Sequence, residues 1–211
     1  RVVLIEPAEA LNIASANALL KTLEEPGERV MIILLAEHYL KLPATVRSRL
    51  QHFALDRMTE QQTVDYLQQH LSAEQQQNIS LLMNLSHQMP LQAQNLAGSE
   101  WLSKRQAFVQ DWQTLVQQKR APLMYATKWQ KELSFTDLIC MFEYLLSDVI
   151  CVKLNQHVRN IDIEFSTLVS CYHLEKLFSL YTQLQQYKQQ VAQNVQSNLV
   201  LDELFIQLMN V

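Results

Sequence analysis

The hydrophobic pattern of this 211-residue chain changes once, near Thr59. Before that point, two short aliphatic runs, at residues 2–5 and 30–35, flank an amphipathic stretch. This is the order strand, helix, strand, and a helix followed by a parallel strand is half of a βαβ repeat. After Thr59, apolar residues recur at helical spacing to the end. The pattern predicts a mainly α protein with a partial α/β start.

The first segment carries clear start and stop signals. Asn12 is a good N-cap for the helix, and Pro26-Gly27 ends it. Both aliphatic runs are continuous, which is typical of strands covered on both faces. Residues 51–55, QHFAL, are expected to alternate between the two faces of a third, edge strand.

Three short helices are predicted after Thr59. Thr59 and Gln62 form a capping box for the first, residues 73–87 form the second, and Pro90 begins the third. Beyond Gly98, five further helices are predicted, at residues 101–119, 122–132, 135–156, 166–193 and 199–209. Consecutive helices without intervening strands predict a bundle. Its three tryptophans fall at spacings that favour core packing over stacking on single-stranded bases.

Composition excludes several classes of function. The net charge of −4 lacks the basic surplus of an autonomous nucleic-acid binder. No apolar run approaches the ~20 residues needed to cross a bilayer, so no membrane partner is expected. The two glycines, Gly27 and Gly98, cannot supply the GxxxxGK[ST] loop that cradles the phosphates of ATP.

The cysteines and histidines predict neither a disulfide nor a metal site. Cys140, Cys151 and Cys171 lie far apart without a CxxC pair, which favours buried thiols in a reducing cytoplasm. The six histidines form no ligand pair, so no metal is expected. The chain begins with Arg1 in a strand-like run and shows no signal peptide, and we expect it to be the C-terminal part of a longer protein.

Two motifs occur in order within the first quarter of the chain. They are NALLKTLEEP, at residues 17–26, and TVRSRL, at residues 45–50. Both resemble the bacterial DNA polymerase III clamp-loader family of the AAA+ class. In that family, NALLK.LEEP follows the Walker B strand, and a Ser-Arg-Cys motif supplies an arginine finger to the neighbouring subunit. The match is dense over this first quarter and loose over the remainder.

The resemblance implies an arginine finger at Arg49, with Ser48 beside it in the motif. Leu50 stands where the family has cysteine. A planar guanidinium against a γ-phosphate stabilises charge that redistributes in the transition state. We therefore expect Arg49 to point away from the core of its own chain, and Arg47 to face another way.

The same resemblance implies that this chain does not hydrolyse nucleotide itself. Glu6 stands where the family has the Walker B aspartate, and Pro7 replaces the glutamate that polarises the attacking water. Glu37 lies in the sensor 1 region, where a carboxylate would repel a triphosphate. The sensor 2 arginine is also missing, because residues 88–92 read QMPLQ. We expect a degenerate site and no enzyme activity in this chain alone.

The charged residues of the first motif have two interpretations. Lys21, Glu24 and Glu25 recur in the family, which suggests an intersubunit or DNA-facing role. A solvated helix end explains them equally well, since a reverse-order pair four residues apart contributes little.

The resemblance is closest to the family members that lack ATP hydrolysis yet touch an ATPase neighbour. It implies the C-terminal part of an AAA+ α/β domain at residues 1–57, a three-helix lid at 58–98 and a helical collar for oligomerisation at 99–211. The implied partners are the gamma/tau and delta subunits, with the sliding clamp and primed DNA reached through the complex in the bacterial cytoplasm. ATP and Mg²⁺ would lie in the neighbouring subunit, and no cofactor in this chain.

Two other interpretations remain open from the sequence. The chain could be a fragment of a gamma/tau-type clamp-loader ATPase, or a purely helical adaptor. Pro7 and Glu37 argue against the ATPase, because both lie in the visible part of the site.

Overall fold

The computed structural model describes residues 1–191 and 197–210. The chain divides into two compact units, Arg1–Asp56 and Arg57–Val211. The first unit is α/β and the second is helical, so the prediction of a mainly α fold with a partial α/β start is confirmed. Within the part of the chain that the structure describes, no helix combines the length and apolarity needed to cross a membrane.

The first unit contains a two-stranded parallel sheet. Strand β1 spans Val2–Ile5, helix α1 spans Ile13–Glu24, and strand β2 spans Met31–Leu34. Val2 pairs with Met31, and the register continues to the ends of both strands. Short turns of 3-10 helix occur at Ala8–Ala10 and Tyr39–Lys41, and a four-residue helix, α2, spans Ala44–Arg47.

Helix α1 begins and ends where its sequence signals predict. The Asn12 side chain accepts a hydrogen bond from the Ser15 N–H at 2.8 Å, which satisfies one of the free amides of the first turn. The helix ends at Glu24, two residues before Pro26. Ala16 is fully buried, while Ile13 at the first turn is exposed.

Two predictions for the first unit are wrong. Residues 51–55 form no strand, and Phe53 and Leu55 are 74% and 87% exposed. Alternation alone does not make a strand, because each strand needs a partner for its backbone N–H and C=O groups. The strands are also not covered on both faces, since Val2 and Leu4 are exposed.

The second unit is built from helices joined by short connections. Their bounds are Glu60–His70 (α3), Ala73–Gln76 (α4), Ile79–Leu85 (α5), Pro90–Ala97 (α6), Arg105–Gln118 (α7), Pro122–Glu132 (α8), Phe135–Lys153 (α9), Ser166–Cys171 (α10), Leu174–Val191 (α11) and Ser197–Met209 (α12). The predicted capping box of α3 is confirmed. The Thr59 N–H donates to Gln62 Oε1 at 2.9 Å, and Thr59 Oγ1 accepts from the Gln62 N–H at 3.3 Å.

Two predicted helices are each divided in two. Residues 73–87 form α4 and α5, so the region predicted as a three-helix lid contains four helices. Residues 166–193 form α10 and α11, and positions 192 and 193 lie outside the described residues. At the second break, the Tyr172 hydroxyl donates to the Leu208 carbonyl and accepts from Trp112 Nε1. These buried hydrogen bonds hold Tyr172 in the core and end α10 there.

The core of the second unit is centred on Phe108. Its ring lies edge-on to those of Trp112, Trp129, Phe142 and Phe205, with centroids 5.0–6.3 Å apart. Edge-to-face packing is the arrangement that aromatic quadrupoles favour. All three tryptophans are at most 2% exposed, so the prediction that they pack in the core is confirmed.

The cysteines are free thiols that are only partly buried. They were predicted to be buried, and their half-exposed positions correct that expectation. Desolvation nevertheless raises the pKa of Cys140 and of Cys151. Both thiols are therefore weaker nucleophiles than an ordinary exposed cysteine.

Candidate arginine-finger site

The turn after α2 places two polar side chains at the protein surface. The Ser48 N–H donates to the Ala44 carbonyl at 3.0 Å, and the Arg49 N–H donates to the Val46 carbonyl at 3.1 Å. Val46 is fully buried and anchors the turn, whereas Ser48 and Arg49 are exposed. A short helix with one buried face therefore turns the Ser-Arg pair outward.

The guanidinium of Arg49 is bound by its own chain. Nε donates to Glu24 Oε1 at 2.6 Å, and Nη2 contacts the same oxygen. Nη1 donates to the Thr45 carbonyl at 2.9 Å and to Ser48 Oγ at 3.2 Å. The side chain is 33% exposed and that of Glu24 is 48% exposed, so the pair lies at the surface.

The two sequence motifs therefore meet at one place. Glu24 is the last residue of α1 and Arg49 follows α2, and the ion pair joins positions 25 residues apart. The sequence left Glu24 with two interpretations, an intersubunit or DNA-facing role and a solvated helix end, and neither predicts this contact. Lys21 and Glu25, from the same motif, are exposed at the end of α1.

Arg47 faces a different set of groups from Arg49. Its Cζ lies 5.4 Å from the ring centroid of Tyr39, a cation–π distance. The Tyr39 ring in turn lies 4.2 Å from that of His52. The Nε of Arg47 is shielded from solvent without a hydrogen-bond partner. Of the two arginines, Arg49 is the more exposed.

The residues that follow the two strands lie together at the edge of the sheet formed by the carboxyl-terminal ends of the strands. Ile5 pairs with Leu34 at the carboxyl end of the parallel ladder. Glu6 and Pro7 follow the first strand, Glu37 follows the second, and all three are exposed. In open α/β sheets, this is the edge at which ligands bind. Here it carries the exposed carboxylates of Glu6 and Glu37, which disfavour a phosphate.

Glu9 has a role at this edge that the sequence analysis missed. Its Oε1 accepts a hydrogen bond from the Glu37 N–H at 3.1 Å, which ties the turn after β1 to the loop after β2. The N–H groups of Glu9 itself, Glu37 and His38 and the charge of His38 lower the pKa of the Glu9 carboxyl, against an opposing effect of burial. The carboxylate form is therefore the one that the folded state stabilises.

We expect Glu9→Gln to destabilise the chain in a pH-dependent way. A depressed folded pKa stabilises the protein above the pKa of an unfolded glutamate, about 4.3, and this contribution is lost as the pH falls through the folded pKa. Urea unfolding followed by circular dichroism from pH 7 to pH 3 should show the difference from wild type shrinking below about pH 4.3. Glu28→Gln, at an exposed position, is the control. A difference that stays constant with pH would contradict the assignment.

The described residues contain no group of three or more His, Cys, Asp or Glu side chains arranged to hold a metal ion.

Comparison with known proteins gives one consistent result. The family model described as DNA polymerase III, delta subunit, matches residues 1–59. The DNA polymerase III subunit delta′ of Pseudomonas aeruginosa is 34% identical over 129 residues, which cover 61% of this chain and 39% of that protein. That of Haemophilus influenzae is 33% identical over 133 residues, covering 63% and 40%. Over the matched residues, the chain is similar to the delta′ subunits of DNA polymerase III.

Subunits of DNA polymerase III named tau and gamma match a shorter region of the chain. The DNA polymerase III subunit tau of Bacillus subtilis is 42% identical over 77 residues, which cover 36% of this chain and 14% of that protein. The chain spans about two fifths of the length of the first two delta′ relatives.

Proposed function

We propose that this chain belongs to a non-hydrolysing clamp-loader subunit that supplies Arg49 in trans to the ATP site of a neighbouring subunit. The observation that carries the proposal is the surface turn after α2. There, buried Val46 anchors the backbone, while Ser48 and Arg49, whose guanidinium pairs with Glu24, lie at the surface. The same turn carries the motif by which the chain resembles the family.

The chemistry suits a guanidinium. It is planar, permanently charged and offers five N–H donors, a geometry that matches phosphate oxygens. In phosphoryl transfer, a donor of this kind stabilises the charge that spreads over the γ-phosphate oxygens in the transition state. ATP and Mg²⁺ would be held by the neighbour, and this chain would contribute Arg49, with Ser48 hydrogen-bonded to its Nη1.

The residues at the carboxyl ends of the two strands support a subunit that does not itself hydrolyse ATP. Pro7 has no group that could polarise water, and Glu6 and Glu37 present carboxylates at the carboxyl ends of the strands. An edge that repels phosphate favours a role in trans over one in cis.

The partners and domains follow from this role. Residues 1–57 would be the C-terminal part of an AAA+ domain, 58–98 a lid, and 99–211 a collar, of which positions 192–196 and 211 lie outside the described residues. The collar would bind gamma/tau and delta in the bacterial cytoplasm, and the assembly would load the sliding clamp onto primed DNA. Lys21 and Glu25 would face a neighbouring subunit or DNA.

The test uses the full-length protein, alone and in the complex. Alone, it should show no ATP turnover. Added to gamma/tau and delta, it should raise DNA-stimulated ATP hydrolysis and the yield of clamps closed on primed DNA. Turnover by the isolated protein would favour the gamma/tau-type ATPase. Loading without any change in ATP hydrolysis would favour a helical adaptor.

A further inference from the structure

The contacts of Arg49 occupy most of the donors that a phosphate would need. One edge of the guanidinium, formed by Nε and Nη2, faces Glu24 Oε1. The remaining nitrogen, Nη1, donates to the Thr45 carbonyl and to Ser48 Oγ. A bidentate contact with phosphate uses two parallel N–H donors on one edge. Glu24 already holds the edge that carries Nε.

The charge of the pair also matters. A guanidinium against a carboxylate presents nearly zero net charge to a third group, and an arginine finger acts through its positive charge. The carboxylate of Glu24 and a γ-phosphate would compete for the same N–H donors. Only one of the two anions can bind that edge at a time.

We propose that Glu24 is a positioning residue that holds Arg49 in a stored position, from which the triphosphate of the neighbouring subunit displaces it. This inference rests on the proposed function of Arg49. The hydrogen bonds to the Thr45 carbonyl and Ser48 Oγ come from the turn itself, so they keep the guanidinium oriented when Glu24 leaves. The ion pair therefore keeps other anions from binding the guanidinium of Arg49 until a neighbouring subunit docks.

The solvent exposure of the Arg49–Glu24 ion pair determines how much the removal of Glu24 should change the rate of hydrolysis. Arg49 and Glu24 are 33% and 48% exposed, and ion pairs at such positions contribute little free energy. Displacement of Glu24 is therefore easy. Its removal should raise the rate of hydrolysis at the adjacent site only about two- to five-fold, the range expected for an exposed pair.

The experiment is a double-mutant cycle in the reconstituted complex containing the full-length subunit. Single-turnover ATP hydrolysis at the adjacent site is measured for wild type, Glu24→Gln, Arg49→Ala and the double variant, with ATP affinity measured separately. Glu28→Gln, an exposed glutamate beyond α1, is the matched control. We expect Glu24→Gln to raise the rate constant about two- to five-fold without changing ATP affinity, and to have no effect in the Arg49→Ala background.

Each outcome has a separate meaning. A rate that is unchanged or lower in Glu24→Gln, or that shifts equally in both backgrounds, overturns the stored position while leaving the arginine finger intact. A normal rate in Arg49→Ala overturns the proposed function, and the inference with it. Thermal unfolding of each variant identifies a rate change that comes from misfolding.

Discussion

Replacing Arg49 by alanine is expected to slow ATP hydrolysis at the neighbouring site by about 10³- to 10⁵-fold. The reason is local, because the variant removes a permanent cation whose donors act only as charge develops on the γ-phosphate. The loss should appear in the single-turnover rate constant, with ATP affinity little changed. The measurement needs the assembled complex, with hydrolysis at the adjacent site followed by rapid quench.

Arg47→Ala is the matched control for this prediction. Arg47 lies two positions earlier on the same turn, but its guanidinium packs over the ring of Tyr39. Its removal should leave the rate within a few-fold of wild type. If the rate of hydrolysis fell strongly in Arg47→Ala and stayed normal in Arg49→Ala, the arginine finger would be Arg47 and the assignment to Arg49 would be wrong.

The second large effect is expected in the helical unit, at a buried carboxylate. Asp148 is fully buried on α9. It accepts hydrogen bonds from the Arg159 N–H at 3.1 Å, the Asn160 N–H at 2.7 Å and Asn160 Nδ2 at 2.6 Å. Asn160 also accepts from Arg105 at the start of α7, and Arg105 pairs with Asp162 at 3.0 Å. This network ties the connection between α9 and α10 to α7.

Asp148→Ala should lower the free energy of unfolding by about 3–5 kcal/mol. The variant leaves the buried donors of Asn160 and the partly buried N–H of Arg159 without their acceptor, and such groups are costly to desolvate. Urea unfolding can be followed by tryptophan fluorescence, because all three tryptophans lie in the helical unit.

The control for Asp148 is Asp65→Ala on α3. Asp65 is exposed and accepts a side-chain hydrogen bond from Gln61 at 2.8 Å. Asp65→Ala should change the free energy of unfolding by no more than about 0.5 kcal/mol. A loss below about 1 kcal/mol for Asp148→Ala would mean that water or rearranged neighbours replace the carboxylate.

Local signals explain which parts of the fold could be predicted. Asn12 and Thr59 each accept from the amide three residues later, so their caps follow from the sequence. The division of residues 166–193 could not be predicted from helical spacing. It depends on Tyr172 finding Trp112 and Leu208, which are distant in sequence. The strand predicted at residues 51–55 does not form, because no partner strand among the described residues lies beside them to pair with their backbone.

The same division holds at the candidate site. The two motifs select the candidate residues, because their residue types and order resemble those of the family. They did not predict that Glu24 binds Arg49, since no spacing rule relates side chains from separate elements. Glu9 lies outside both motifs, and the turn at Ala8–Ala10 brings its carboxylate to the Glu37 N–H.

The most direct test of the arginine finger is a structure of the assembled complex with Mg²⁺ and an ADP–beryllium fluoride mimic in the neighbouring ATP site. We predict that a guanidinium nitrogen of Arg49 lies about 2.7–3.0 Å from the mimic of the γ-phosphate, with its contact to Glu24 opened. A guanidinium still paired with Glu24 and beyond hydrogen-bonding distance of the mimic, with another cation in its place, would contradict the account.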